Sequence, residues 1–275
     1  MINDIEFSDE RHKNGFRVVM LGASNATISL PLIVHSLRSN LAGHLEFNAA
    51  VGHGRSFGIW SSVLFRALPS IRDCHLWEAI QQTKTDGAQL QNLGLITDIG
   101  NDLLYGVEPD QLINWVKDCL QRLKAINARV VITLLPVDTL KKLSRLRFTA
   151  TRMLFFPNSK FSFDGFLEVV QHLNQQLQLL GEQHDAQVIA PKNEWYGFDP
   201  IHIKPSARSK AWREILSTWF PDSEALSMQR PSWQQRRRIR NCQFETRRRF
   251  GKLQQFEQPM LTWSDDQRSG MLRMF

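Results

Sequence analysis

The sequence predicts an α/β protein built on a mainly parallel sheet with helices on both faces. Three observations lead there. Short runs of apolar residues recur along the chain and are continuously apolar rather than alternating, as in strands buried on both sides. Stretches with helical spacing of apolar residues separate them, the order expected of a wound α/β sheet. The early runs end in glycine or small polar residues, which is turn chemistry.

Taken in order, Arg17-Val18-Val19-Met20-Leu21 reads as a buried strand running into the turn Gly22-Ala23-Ser24-Asn25. Ile28, Leu32, Ile33, Leu37 and Leu41 follow at helical spacing. Leu45 to Val51 is the second strand, followed by the glycine-rich segment Gly52 to Gly58. Ile59–Leu68 and Leu76–Gln82 are expected to be helical. Leu93 to Ile99 is a third strand, ending in Gly100-Asn101-Asp102. From Pro109 to Ala125, Leu112, Trp115, Val116, Cys119, Leu120 and Leu123 share one helix face. Arg129 to Leu135 is a fourth strand, stopped by Pro136; Phe163 to Glu182 is an amphipathic helix and Ala186 to Ala190 a fifth strand. A last helix is expected to start near Ser206, which would cap it. The organised part is expected to finish near Pro221, giving one domain over 1–228 and an Arg-rich C-terminal extension over 229–275.

Composition separates the same two parts. The hydrophobic content of 42% and charged content of 22% belong to a soluble globular chain. Residues 230–275 hold 11 of the 34 Lys/Arg and 4 of the 27 Asp/Glu, which is the whole net charge of +7. The basic character therefore says nothing about what the larger part binds. Cys74, Cys119 and Cys242 are scattered and lack metal-ligand spacing, so neither a disulfide framework nor a metal site is expected. Met1 to Lys13 has no apolar core of a signal peptide, and no apolar run approaches the ~20 residues that span a bilayer. A reducing, cytoplasmic setting is the expectation.

Where the polar residues fall is more informative. Ser24 follows the first strand, Gly54 the second and Asn101 the third, while Asp199 and His202 follow the fifth. Segments leaving the carboxyl ends of parallel strands gather at one edge of the sheet, where ligands bind. A serine hydroxyl needs a base to become a nucleophile, and a neutral histidine can serve near pH 7. In Asp199-Pro200-Ile201-His202 the proline stiffens a loop whose carboxylate can hold one imidazole nitrogen while the other faces Ser24. The N–H groups of Ser24 and Gly54 and the amide of Asn101 are the expected oxyanion donors. Singly, each residue has a plainer reading: Ser24 or Asn25 as a helix cap, Gly54 as a turn former, Asn101 as a loop residue. Their ordered conjunction favours acyl transfer.

The blocks Gly22-Ala23-Ser24-Asn25, Gly54-Arg55-Ser56, Gly100-Asn101-Asp102 and Asp199-Pro200-Ile201-His202 resemble, in kind and order, those of the SGNH (GDSL-like) hydrolase superfamily. The resemblance spans about residues 16–220. It departs at Ala23, where the family has aspartate, and at Ile99, where it has glycine. It implies a three-layer α/β/α, flavodoxin-like fold and a serine esterase with Ser24, His202 and Asp199 as triad. It implies no cofactor, and a small-molecule or carbohydrate ester as substrate.

Two other readings remain open on the sequence. An O-acyltransferase would use the same triad. A non-catalytic interaction protein would act through the tail, where Arg236 to Arg238, Arg240 and Arg247 to Arg249 interleave with Trp233, Phe244 and Phe250 and could contact a polyanion. A nucleotide-binding protein is disfavoured, because no phosphate-binding glycine motif follows the first strand.

Overall fold

The structure is a computed structural model that describes residues 14–82, 89–142, 162–221, 226–265 and 268–275. The expectation for Met1 to Lys13 lies outside the described residues.

The chain begins with β1 (Asn14–Leu21), α1 (Ser24–Asn40) and β2 (Gly43–Ala50). A hairpin of β3 (Ser61–Val63) and β4 (Arg66–Leu68) follows, then α2 (Leu76–Gln82) and β5 (Gln89–Ile96). Next come α3 (Asn101–Leu104), α4 (Pro109–Ala125), β6 (Arg129–Thr133), α5 (Val137–Lys141), α6 (Phe163–Gln183) and β7 (Gln187–Ile189). A 3₁₀ turn at Asn193–Trp195, α7 (Arg208–Ser217) and α8 (Trp233–Arg240) lead to β8 (Thr246–Arg249), β9 (Lys252–Gln255), β10 (Leu261–Ser264) and β11 (Arg268–Met274).

Among the described residues the main sheet has seven strands in the order β10-β11-β2-β1-β5-β6-β7. All neighbours are parallel except the edge pair β10 and β11. The run β2-β1-β5-β6-β7 is the flavodoxin-like order, in which the winding direction reverses between the first strand and the third. Here that crevice lies between β1 and β5. Val18 to Leu21 have no exposed surface, as a central strand buried on both faces requires. Val18 and Met20 pack with Leu30, Ile33 and Leu37 of α1 and with Trp212 and Ile215 of α7. Val19 and Leu21 face α2, α4 and α6 on the other side. The result is a three-layer α/β/α fold.

Three expectations need correction. Residues 59–68 are a β-hairpin and not a helix. Their apolar spacing imitates a helix, but Leu64 at φ +54° closes a tight turn, and β4 pairs antiparallel with β8 from the far end of the chain. Tertiary pairing outweighs local spacing there. Ser206 does not cap the last helix before Pro221: α7 starts at Arg208 with Ala207 at its N-cap.

The third correction concerns residues 229–275, which do not form an arm outside a closed domain. Helix α8 opens with a reciprocal capping box between Ser232 and Gln235. Beyond it, β11 lies parallel to β2 inside the main sheet, from Arg268 beside Gly43 to Met274 beside Ala49. Leu272 and Met274 are buried in one core and Phe275 in the other. Burying each is worth about 1.5–3 kcal/mol. The wholly buried Arg55 donates to the carbonyl oxygen of Phe275 and to those of Val51 and Pro69. A boundary at 228/229 therefore cuts through one continuous sheet, and charge imbalance did not mark a packing boundary.

Candidate active site

The first strand ends where Gly22 passes against β5. A Cβ at Gly22 would lie 2.6 Å from the Thr97 side chain, so the close approach needs glycine. The chain then turns directly into α1, whose N-cap residue Ala23 has no side chain to cap with. The cap comes instead from Asp98, across the crevice. One of its oxygens accepts from the N–H groups of Ala23 and Ala26, each at 3.0 Å, and the other accepts from the Asn25 side chain at 2.8 Å. Asp98 sits at φ +58°, a left-handed conformation that aspartate tolerates better than most residues. A carboxylate at a helix N-terminus satisfies orphan donors and complements the helix dipole. Because Asp98 caps the helix, the Ser24 hydroxyl is not needed for capping.

That hydroxyl lies 2.9 Å from His202 Nε2, and His202 Nδ1 lies 2.6 Å from Asp199 Oδ2. The other Asp199 oxygen accepts from the backbone N–H groups of Ile201 and His202 at 2.9 and 3.1 Å, which folds the loop back on its own carboxylate. Asn25 fastens this loop to the start of α1. Its amide donates to the Ile201 carbonyl at 3.0 Å, and its oxygen accepts from the Ile203 N–H at 2.8 Å. One asparagine thus joins the Ser24 turn, Asp98 and the His202 loop.

The electrostatics follow this geometry. Burial pushes the Asp199 carboxyl up, but the hydrogen bonds from the His202 ring and from the Ile201 and His202 N–H groups outweigh it, and its pKa falls to about 2. The hydrogen bond to Asp199 raises His202 above the ordinary histidine value, against partial burial, with help from the charges of Asp199 and Asp98. His53 lies in the loop after β2 and is partly screened from solvent. Partial burial, then the positive charges of Arg66 and His202, lowers its pKa against the charge of Asp98.

The expected oxyanion donors fall in two places. Ser24 is the first residue of α1, so its N–H precedes the helix's own hydrogen-bond ladder. Ser24 and Asn101 line the same cavity, and the Asn101 amide has only a long 3.5 Å contact to the Asp98 carbonyl. Gly54, like His202 and Asp199, is not among the residues lining that cavity. It takes φ +65°, its carbonyl accepts from the Tyr105 hydroxyl at 2.7 Å, and a Cβ there would lie 2.5 Å from Val63. Glycine is therefore required by the backbone and by the adjoining hairpin. The loop after Gly54 is held by Asp102, which is wholly buried and accepts from the Ser56 hydroxyl and the Phe57 N–H. Burial raises the Asp102 carboxyl to about 6, against those hydrogen bonds.

The cavity, about 110 Å³, is mostly apolar: Ile99, Leu104, Leu135, Leu140, Phe166 and Ile203 are among its walls. Among the described residues, no group of three or more His, Cys, Asp or Glu is placed to hold a metal ion, and no helix is long and apolar enough to cross a membrane.

Sequence reasoning did not find Asn25 and Asp98 as partners. Asn25 read as a helix cap, and Asp98 lies in the third strand run as predicted. The available signal was a polar residue interrupting that run just before Gly100.

No protein-family model matches this chain, and no curated protein matches it. Solved structures do resemble it. A member of the lipolytic protein G-D-S-L family from Veillonella parvula is 13% identical, covers 76% of this chain and 100% of its own, with a TM-score of 0.46. The structure of TesA is 14% identical, covering 74% and 98%, at 0.45. The psychrotrophic esterase EstA from Pseudoalteromonas sp., inhibited by monoethylphosphonate, is 11% identical, covering 75% and 99%, at 0.44. This chain is thus similar, over about three quarters of its length, to solved structures that include an esterase and a member of the G-D-S-L family.

Proposed function

We infer that this protein is a serine hydrolase of the SGNH type that cleaves carboxylic esters or O-acyl groups through Ser24, His202 and Asp199. The observation that carries this reading is the unbroken relay from the Ser24 hydroxyl to His202 at 2.9 Å and on to Asp199 at 2.6 Å, with Ser24 among the residues lining an apolar cavity. In this reading neutral His202 takes the proton as Ser24 attacks the acyl carbon. Asp199 stays ionised, fixes the ring tautomer and stabilises the imidazolium. The oxyanion receives the Ser24 N–H, the Asn101 amide and the Gly54 N–H. The alcohol leaves with the proton from His202, and water releases the acyl group from Ser24 by the same route in reverse. The apolar walls suit the acyl portion of a small-molecule or carbohydrate ester.

Labelling with a fluorophosphonate tests the reading, because the probe reacts with a serine only when a base activates it. Modification mapped to Ser24, abolished in His202→Ala, is the expected result. An unlabelled chain, or a label on another serine, would overturn it.

A further inference from the structure

The second sheet, in the order β3-β4-β8-β9, brings together two hairpins from distant parts of the chain. Arg66 at the start of β4 pairs with Arg249 at the end of β8, so the turns at Leu64-Phe65 and Phe250-Gly251 lie at the same end of the sheet. The Phe250 N–H donates to the Phe65 carbonyl at 2.9 Å, and the two rings stack with centroids 5.1 Å apart. The tips are apolar and open to solvent: Leu64 is 88% exposed, Phe250 67%, Phe65 64% and Leu253 57%. Leu64 and Phe250 take φ +54° and +49°. Glycine or asparagine would adopt that backbone at lower cost, so bulky apolar residues stand here against local preference.

Cations surround these tips. Segments 61–68 and 246–255 contain Arg66, Arg247, Arg248, Arg249 and Lys252 and no carboxylate. The Arg248 guanidinium lies over Trp60 at 4.7 Å and that of Arg249 over Phe250 at 5.6 Å, so charge and ring sit at the same level. Apolar tips ringed by arginine and aromatic side chains match the order of layers in a bilayer surface, with hydrocarbon below and anionic headgroups at its rim.

We propose that the paired hairpin tips, Leu64-Phe65 and Phe250-Gly251, are a docking face for an anionic lipid bilayer. Charge complementarity selects this occupant. A second copy in two-fold contact would set the same cations against themselves. A nucleic acid would stack on ring faces, and here Phe65 and Phe250 each give one face to the other while Arg248 and Arg249 lie over Trp60 and Phe250. The β3–β4 hairpin lies against the Gly54 loop through Val63. The inference does not depend on the hydrolase reading, because lipid binding is measured without turnover.

The test is sedimentation of the full chain with vesicles of phosphatidylcholine, with and without about one third phosphatidylserine. Binding to the anionic vesicles alone is expected, weakening as salt is raised. Leu64→Asn and Phe250→Asn suit the left-handed backbone, so they remove apolar surface without adding strain; each is expected to weaken binding on the order of tenfold. Arg248→Gln with Arg249→Gln should weaken it by about 25-fold, at roughly fivefold per cation. No binding to anionic vesicles, or binding unaffected by the tip substitutions, would overturn the proposal. So would a stable dimer that buries the tips, or a complex with single-stranded RNA that both asparagine variants lose.

Discussion

Two loops of this protein place a serine close to an aspartate, and their difference shows what a reactive serine requires. Both aspartates come from the segment that follows β5. Asp102 holds the Gly54 to Phe57 loop by taking the Ser56 hydroxyl directly, and Ser56 also accepts from the N–H groups of Gly58 and Ile59. Every hydrogen-bonding capacity of Ser56 is used internally. Asp98 holds the Ser24 turn in a different way. It takes backbone N–H groups and the Asn25 amide, and leaves the Ser24 hydroxyl to an imidazole. A nearby carboxylate makes a serine structural when it binds the hydroxyl, and leaves it able to react when it binds the backbone around it.

The comparison can be broken most directly by exchanging the losses. Ser24→Ala is expected to lower kcat for a short-chain nitrophenyl ester by on the order of 10⁴-fold or more, with an unchanged melting temperature. Ser56→Ala should do the reverse, keeping turnover within a few-fold while costing about 1–3 kcal/mol by urea denaturation, since Asp102 and two N–H groups lose a buried partner. Equal turnover losses in both would erase the distinction.

Asp199→Asn should cost on the order of 10³–10⁴ in kcat, and its pH profile carries a sign. Asp199 raises the His202 pKa above 6.5, so wild-type activity is lost as pH falls through a value above the ordinary one. Removing the carboxylate's charge moves that limb of the residual activity to lower pH. An unmoved limb would show that another group sets it. Asp199 itself, at about 2, stays ionised throughout this range.

Asn101→Ala is expected to lower kcat by roughly 10²–10³ with little change in KM, if the amide meets the oxyanion. A raised KM at unchanged kcat would instead assign Asn101 to substrate binding. The smallest expected effect is that of Asn25→Ala. It frees the His202 loop at two points, Ile201 and Ile203, and should cost about tenfold in kcat while fluorophosphonate labelling slows by a similar factor. Unchanged labelling would make the clamp purely structural.

The parts legible in the sequence are those whose signal is local. Strands β1, β2, β5, β6 and β7 each showed as a compact apolar run, and Ser24, His202 and Asp199 stood in short blocks at strand ends. What escaped depends on partners far away. The 59–68 hairpin is a hairpin because of β8, and β11 is a strand because β2 has a free side. Asp98 and Asn25 escaped for the same reason: the bonds that define them cross from one strand end to another, and spacing along the chain does not encode them.

The pairing of β11 with β2 also bears on how the molecule is made. Residues 43–50 leave the ribosome well before their partners at 268–274. Throughout the interval β2 has only β1 beside it, with an uncovered row of backbone donors and acceptors along a strand of otherwise buried residues. Contacts of such long sequence separation form slowly. The nascent chain therefore carries an adhesive edge until residues 268–274 emerge, so this aggregation hazard precedes the arrival of β11 rather than following it.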